Sequence, residues 1–339
     1  MRIKLVIASD DADYAKHLSD YISRQYSDTI AVTLCMTRHR FQALLETQRF
    51  DVALIDPQLA EGLDLSSIGL PLVLEESNSH EEHNRTGIST ITKYQRISAM
   101  VSEFLCGCAK ASKYGAGANS EQACITAVWS PAGGVGKTTV ALSYAAKKVS
   151  EGKQVLYLNL EPFSSVPAYF AQSGKSISAA FEMLGNGEGN VRMLIRGICQ
   201  QDRGAGVAYF CRPENFDDMY ALSAENIAEL TTVCAGVTDE LVIDMSCVCD
   251  WRTRKVFDLA DRIFLVTDQS AASEVKIAQF TSQHNVFDSI KDKLVLIANK
   301  GASVSTRISG TIHNLPLVSS VDSTEVYKAL SGSMELVPG

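Results

Sequence analysis

Two doubly wound α/β domains in tandem, each on a parallel sheet, are the architecture this sequence predicts. Three observations lead there. Short apolar runs alternate with amphipathic stretches in both halves of the 339-residue chain. That is the pattern of strands buried on both faces and joined by crossover helices. One stretch rich in Gly, Ala and Ser, Gly107 to Gln122, interrupts the alternation, as flexible interdomain linkers do. Hydrophobic residues make up 46% and charged residues 21%, ordinary globular usage that excludes disorder and low complexity over most of the length. The expected division is a first domain over 1–106, a linker over 107–122 and a second domain over 123–339.

The elements follow in order. Ile3 to Ala8 reads as a buried strand. Asp11 to Gln25 carries Tyr14, Leu18, Tyr21 and Ile22 at helical spacing. Thr29 to Met36 is rich in strand formers, and Phe41, Leu44 and Leu45 mark a helix. Val52 to Ile55 is a strand ending in Asp56-Pro57; Pro71 to Leu74 and Gly87 to Thr92 are the next two, and a helix over Ile97 to Leu105 closes the domain. In the second domain the strand Ala123 to Trp129 enters a Gly-rich turn. A helix follows from Lys137 to Ser150, with Val140, Tyr144, Ala145 and Val149 as its buried stripe. Further strands are expected at Val155 to Leu160, Gly206 to Phe210, Glu240 to Asp244, Arg262 to Thr267 and Lys293 to Ala298, with helices over 176–200, 223–235, 252–260 and 272–283. A ligand of such a domain belongs at the carboxyl ends of its strands.

Charge and composition narrow the function. The formal net charge is −8, so the chain as a whole has no pull toward DNA or anionic lipid, and no direct nucleic-acid partner is expected. No apolar stretch is long enough to span a membrane. The apolar run at the N-terminus is too short for a signal peptide, and acidic residues follow at once. A cytoplasmic protein is expected, and the nine scattered cysteines read as reduced thiols.

The sharpest chemical signal is Ser130-Pro131-Ala132-Gly133-Gly134-Val135-Gly136-Lys137-Thr138-Thr139, between a strand and a helix. Glycines let successive backbone N–H groups turn toward a phosphate, and the helix N-terminus adds its positive dipole end. Lys137 would bridge β- and γ-phosphates, and Thr138 would place a hydroxyl on Mg²⁺. ATP and Mg²⁺ are the ligands this implies. The general pattern wants a Gly where Pro131 stands. The string instead resembles the deviant phosphate loop of the MinD/ParA family of dimeric ATPases, Lys-Gly-Gly-x-Gly-Lys-Thr-Thr, matched throughout from Gly133 to Thr139. The family's leading lysine, which reaches the partner's nucleotide across the dimer, is Ala132 here. The resemblance extends to three strand ends. Asn159-Leu160-Glu161-Pro162 stands where the family has Asp-x-Asp-Pro, so Glu161 would align the attacking water. Asp244 resembles the second acidic motif and would hold a Mg²⁺-bound water. Asn299 and Lys300 resemble the segment that recognises adenine. Arg252 and Arg254 are candidates to replace the missing cation.

The first domain resembles a two-component receiver. Asp10 follows its first strand, Asp56 ends the third and Lys93 ends the fifth, in the order of a receiver's metal-binding acid, phosphoacceptor and lysine. Glu75 and Glu76 stand where a receiver has a hydroxyl, and Tyr94 replaces the usual Pro. Two readings follow: a phosphoacceptor site at Asp10, Asp56 and Lys93, or a pseudo-receiver used for docking or dimerisation. Two weaker clusters remain. His80-Glu81-Glu82-His83 reads as a solvated stretch rather than a metal site. The spacing of Cys247 after Asp244 resembles that of the nitrogenase iron protein, whose [4Fe–4S] cluster needs two thiolates per subunit; Cys249, Cys211 and Cys199 are candidates for the second.

A receiver-like domain followed by such an ATPase resembles the CpaE/TadZ family. That resemblance implies an ATP-dependent homodimeric factor that localises and helps assemble Tad (Flp-type) pili, recruited to the cell pole or inner membrane by pilus and secretion-machinery partners. The alternatives are a phosphorylation-gated signalling protein and an Fe–S ATPase. A membrane-surface ATPase of the MinD kind is disfavoured, because the tail from Ser331 to Gly339 is neither basic nor amphipathic.

Overall fold

The computed structural model describes residues 3–27, 30–75, 89–111, 123–187, 189–268, 270–302, 312–320 and 322–336. The chain forms two compact units, Met1–Gly115 and Ala116–Gly339. In the first, the elements run β1 (Ile3–Ala8), α1 (Ala12–Gln25), β2 (Ile30–Cys35), α2 (Arg38–Thr47), β3 (Phe50–Ile55), α3 (Pro57–Ala60), β4 (Ile68–Glu75), β5 (Ser89–Thr92) and α4 (Ile97–Ala111). The sheet has the order β2-β1-β3-β4-β5, and every pairing is parallel. Leu5, Ile7, Val52 and Leu54 are wholly buried, as strands covered on both faces require. Parallel pairing puts the carboxyl ends of β1, β3 and β5 at one edge, which brings the residues after them together. The helix α4 continues past Leu105 to Ala111, so the first residues of the expected linker are helical. Leu105 and Cys108 are buried on its apolar face and carry it through Gly107. Glu76, Gly87 and the His80-Glu81-Glu82-His83 cluster lie outside the described residues.

The second unit is built from β6 (Cys124–Trp129), α5 (Lys137–Ser150), β7 (Val155–Leu160), α6 (Ser178–Asn186), α7 (Val191–Ile198), β8 (Gln200–Gln201), β9 (Ala208–Tyr209), α8 (Asp217–Ala221), α9 (Ala224–Ala235), β10 (Glu240–Met245), α10 (Trp251–Leu259), β11 (Arg262–Thr267), α11 (Ala271–Thr281), α12 (His284–Ile290), β12 (Leu294–Ala298), β13 (Ile312–Asn314) and α13 (Ser323–Ser331). Its sheet order is β13-β12-β11-β6-β10-β7-β9-β8. Among the described residues only the small β8–β9 ladder is antiparallel. The strand β10 lies between β6 and β7, so Asp244 pairs with Val128 on one side and Asn159 on the other. Three differences from the sequence expectation have local causes. The single helix over 176–200 is two, α6 and α7, separated where Gly187 and Gly189 take φ of 65° and 88°. The strand Gly206 to Phe210 shortens to Ala208–Tyr209. Three helices were not expected, α8, α12 and α13; the last lies against α5, where Ser143 Oγ donates to the Tyr327 carbonyl at 3.0 Å.

Candidate phosphate-loop site

The loop after β6 leads into α5 with Gly134 at φ 76° and Gly136 at φ 92°, left-handed values that a side chain would strain. A Cβ on Gly133 or Gly134 would meet nothing within 4 Å, so this part of the loop faces open space. Lys137, Thr138 and Thr139 form the first turn of α5. Lys137 is buried, yet among the described residues its ammonium makes no hydrogen bond or ion pair. A buried, unpaired cation at a helix N-terminus beside open glycine backbone is the donor set of an anion site.

Opposite it stands Asp244, fully buried near the end of β10. Its Oδ2 accepts from Tyr157 Oη at 2.8 Å and from Asn159 Nδ2 at 3.1 Å. Its Oδ1 has no hydrogen-bond partner. Burial first, and the charge of Glu161 second, push the carboxyl up to about 7; Thr138 and Lys137 oppose them. Thr138 acts through proximity, since no hydrogen bond to Oδ1 forms. An orphaned carboxylate oxygen in a dry site, with Thr138 and Lys137 near it, fits a hard cation such as Mg²⁺. Glu161, just past β7, is half-buried; its Oε2 accepts from Ser165 Oγ at 3.4 Å.

Asn299 and Lys300 close the loop from the β12 side. Asn299 Nδ2 donates to the Val135 carbonyl at 2.9 Å, and Lys300 Nζ to the Gly134 carbonyl at 2.6 Å. Lys300 holds φ 60° and pairs with Asp268 at 3.3 Å. A Cβ on Gly136 would collide with Asn299 Nδ2, so the close approach of these segments needs a glycine there. In this structure, then, both residues shape the loop.

Beside Glu161 the surface is unusually apolar. Phe163, Phe216, Tyr220, Val248 and Trp251 are all exposed, and Phe163 stacks on Phe216 with ring centroids 5.3 Å apart. Beneath lies a cavity of about 180 Å³ between Leu160, Pro162, Met219 and Met245. Arg252 belongs to this surface and is fully engaged. It binds Asp250 at 2.5 Å and the Met219 carbonyl at 2.8 Å, and its guanidinium lies over the Tyr220 and Trp251 rings. Arg252 is therefore not a free replacement for the missing lysine. Arg254 is exposed. Ala132 is buried in the apolar cluster with Val135 and Val166. Cys247 is exposed and Cys211 buried, and burial raises the Cys199 thiol to about 12. Among the described residues no three His, Cys, Asp or Glu side chains gather to hold a metal.

In the first unit, Asp56 and Lys93 do meet, at 3.3 Å, both buried. The third partner is not the Asp10 side chain. Asp10 contributes its backbone N–H to Asp56 Oδ2 at 3.1 Å, while the Ser9 hydroxyl donates to the same oxygen at 2.5 Å. Ser9 is the first residue past β1 and takes the inward position; Asp10 is exposed. Asp11 caps α1 and lies 3.9 Å from Lys93. Burial works against the Lys93 ammonium, but Asp56 prevails and holds its pKa above the ordinary value. Tyr94, at φ 63°, donates to Asp11 at 3.0 Å. Both oxygens of Asp56 are thus engaged by protein groups.

Sequence reasoning missed Tyr157, Ser9, Asp11 and Asp268. For Tyr157 a signal existed: positions 157 and 159 alternate along one strand and so share a face.

No model of a known protein family and no curated protein matches the chain. Solved structures do. A ParA family ATPase from Chlorobium tepidum TLS is similar with a TM-score of 0.53 and 16% identity, over 63% of this chain and 97% of that one. The septum site-determining protein MinD from Pyrococcus horikoshii OT3, complexed with Mg-ADP, gives a TM-score of 0.48 and 12% identity over 64% and 98%. A cobyrinic acid a,c-diamide synthase from Mycobacterium smegmatis, with bound ATP analog and magnesium, gives 0.47 and 17% over 62% and 93%. At such identities the likeness is one of fold: the chain carries the mixed α/β fold of a ParA-type P-loop ATPase. Among the described residues no helix is long and apolar enough to cross a membrane.

Proposed function

We propose that this chain binds ATP with Mg²⁺, hydrolyses it slowly, and acts as a nucleotide-dependent dimeric switch that localises and helps assemble Tad (Flp-type) pili from the cytoplasmic side. One observation carries the nucleotide reading: the buried, unpaired Lys137 and the orphaned Asp244 Oδ1 at a single glycine loop. Backbone N–H groups from Gly133 to Thr139 and the Lys137 ammonium would hold the phosphates. Thr138 and Asp244 would hold the cation, which neutralises phosphate charge when bound. Glu161 would orient the attacking water. Asn299 and Lys300 would border the base. Ala132 cannot supply the family's leading cation and Arg252 is engaged, which leaves Arg254 as the exposed candidate and supports slow turnover.

In the same reading the first unit is a pseudo-receiver, because Lys93, Ser9 and the Asp10 N–H already occupy Asp56. It would serve docking or dimerisation. The exposed aromatic surface beside Glu161 is a fitting place for pilus-machinery partners, since exposed apolar patches mark interaction sites. A chromosomal Lys137→Ala strain tests the proposal. Loss of surface pili and of focal localisation at normal protein level is expected; a strain that stays fully piliated overturns it.

A further inference from the structure

We propose that Tyr157 and Asn159 are positioning residues for the metal site: together they bind one oxygen of Asp244 so that only the other faces the phosphate loop. The inference rests on the nucleotide-binding reading above. Asn159 pairs in register with Asp244 across β7 and β10, and Tyr157 is two residues earlier on the same face. Tyr157 Oη and Asn159 Nδ2 both donate to Oδ2, and Asn159 Nδ2 also donates to Tyr157 Oη at 3.1 Å. The amide cannot turn over freely, because Asn159 Oδ1 accepts the Glu161 N–H at 3.3 Å.

All three side chains are buried, so water cannot stand in for a lost donor. A carboxylate with both donors on Oδ2 has one torsional choice, and that choice leaves Oδ1 without a protein partner on a carboxyl that lies near Thr138 and Lys137. An aspartate at position 159 would instead set a second carboxylate against the first. Groups that orient a metal ligand in this way typically change metal affinity by about 10- to 100-fold when removed.

The test is titration of the full chain with ADP, in excess Mg²⁺ and in EDTA, for wild type, Tyr157→Phe and Asn159→Ala. The gain in ADP affinity on adding Mg²⁺ should fall about tenfold or more in both variants, while the affinity in EDTA stays at the wild-type value. Mn²⁺ binding in the presence of ADP, read by electron paramagnetic resonance, should weaken in parallel. If one variant fails to fold, the other carries the test. Variants that keep the full Mg²⁺ gain, whatever their thermal stability, overturn the inference and leave the functional reading standing. Wild type that binds no ADP overturns both.

Discussion

Replacing Asp244 by Asn should make the ligand-free protein more stable while abolishing what Mg²⁺ adds to nucleotide binding. The carboxyl is fully buried, and its pKa rises from 3.8 to about 7. At about 1.4 kcal/mol per pH unit, that difference corresponds to about 4 kcal/mol between the two protonation states. The sign follows from linkage. The fold favours the protonated acid, so the stability it adds is fully present below the unfolded value of 3.8 and is lost as pH rises through about 7. Above that, the charged group burdens the fold. Asparagine removes the charge and keeps the shape; its oxygen can accept from Tyr157 and Asn159, but its amide must face the loop without an acceptor. That residual desolvation costs about 1–3 kcal/mol, leaving a net gain of about 1–3 kcal/mol, or roughly 2–12 °C in Tm for a unit of this size. Thermal unfolding at pH 8 without ligand measures it. The wild type should gain stability when the pH is lowered from 8 to 6, and Asp244→Asn should gain less. Equal Tm values at pH 8, or a variant that still gains nucleotide affinity from Mg²⁺, would refute the reasoning.

Two further outcomes follow from the same geometry. Asp56 should not become stably phosphorylated, because Lys93, Ser9 and the Asp10 N–H hold both its oxygens; acetyl phosphate with Mg²⁺ followed by intact mass checks this, and a phosphate adduct absent from Asp56→Asn would restore the signalling reading. Self-association of the full chain should depend only weakly on ATP, since Ala132 is buried and Arg252 is tied to Asp250; sedimentation with and without ATP decides, and a strictly ATP-dependent dimer would count against the role given to the missing lysine.

The phosphate loop was legible in the sequence because its determinants are local: glycines at left-handed positions, then Lys137 and Thr138 in the first turn of a helix. Alternating apolar runs likewise announced both parallel sheets. What stayed hidden depended on strand order. That β10 lies between β6 and β7 is not written in either segment, and only that order brings Tyr157 and Asn159 onto Asp244. The inward turn of Ser9 in place of Asp10 is a one-residue question of phase at a strand end, where pattern reading is weakest. The break between α6 and α7 needed the left-handed backbone at Gly187 and Gly189 to be weighed against a run of helix formers. Arg252 looked available because its aromatic neighbour Tyr220 and its acceptor Met219 lie far back in the sequence.

The central claim is that the glycine loop and Lys137 hold a nucleotide's phosphates. Isothermal titration of ATPγS into the full chain with Mg²⁺ tests it most directly, with Lys137→Ala as the comparison. One site per chain is expected, weakened about 10- to 150-fold by the loss of a charge-assisted contact worth about 1.5–3 kcal/mol, in a variant that remains folded in the absence of nucleotide. Equal affinity in wild type and Lys137→Ala would contradict the account.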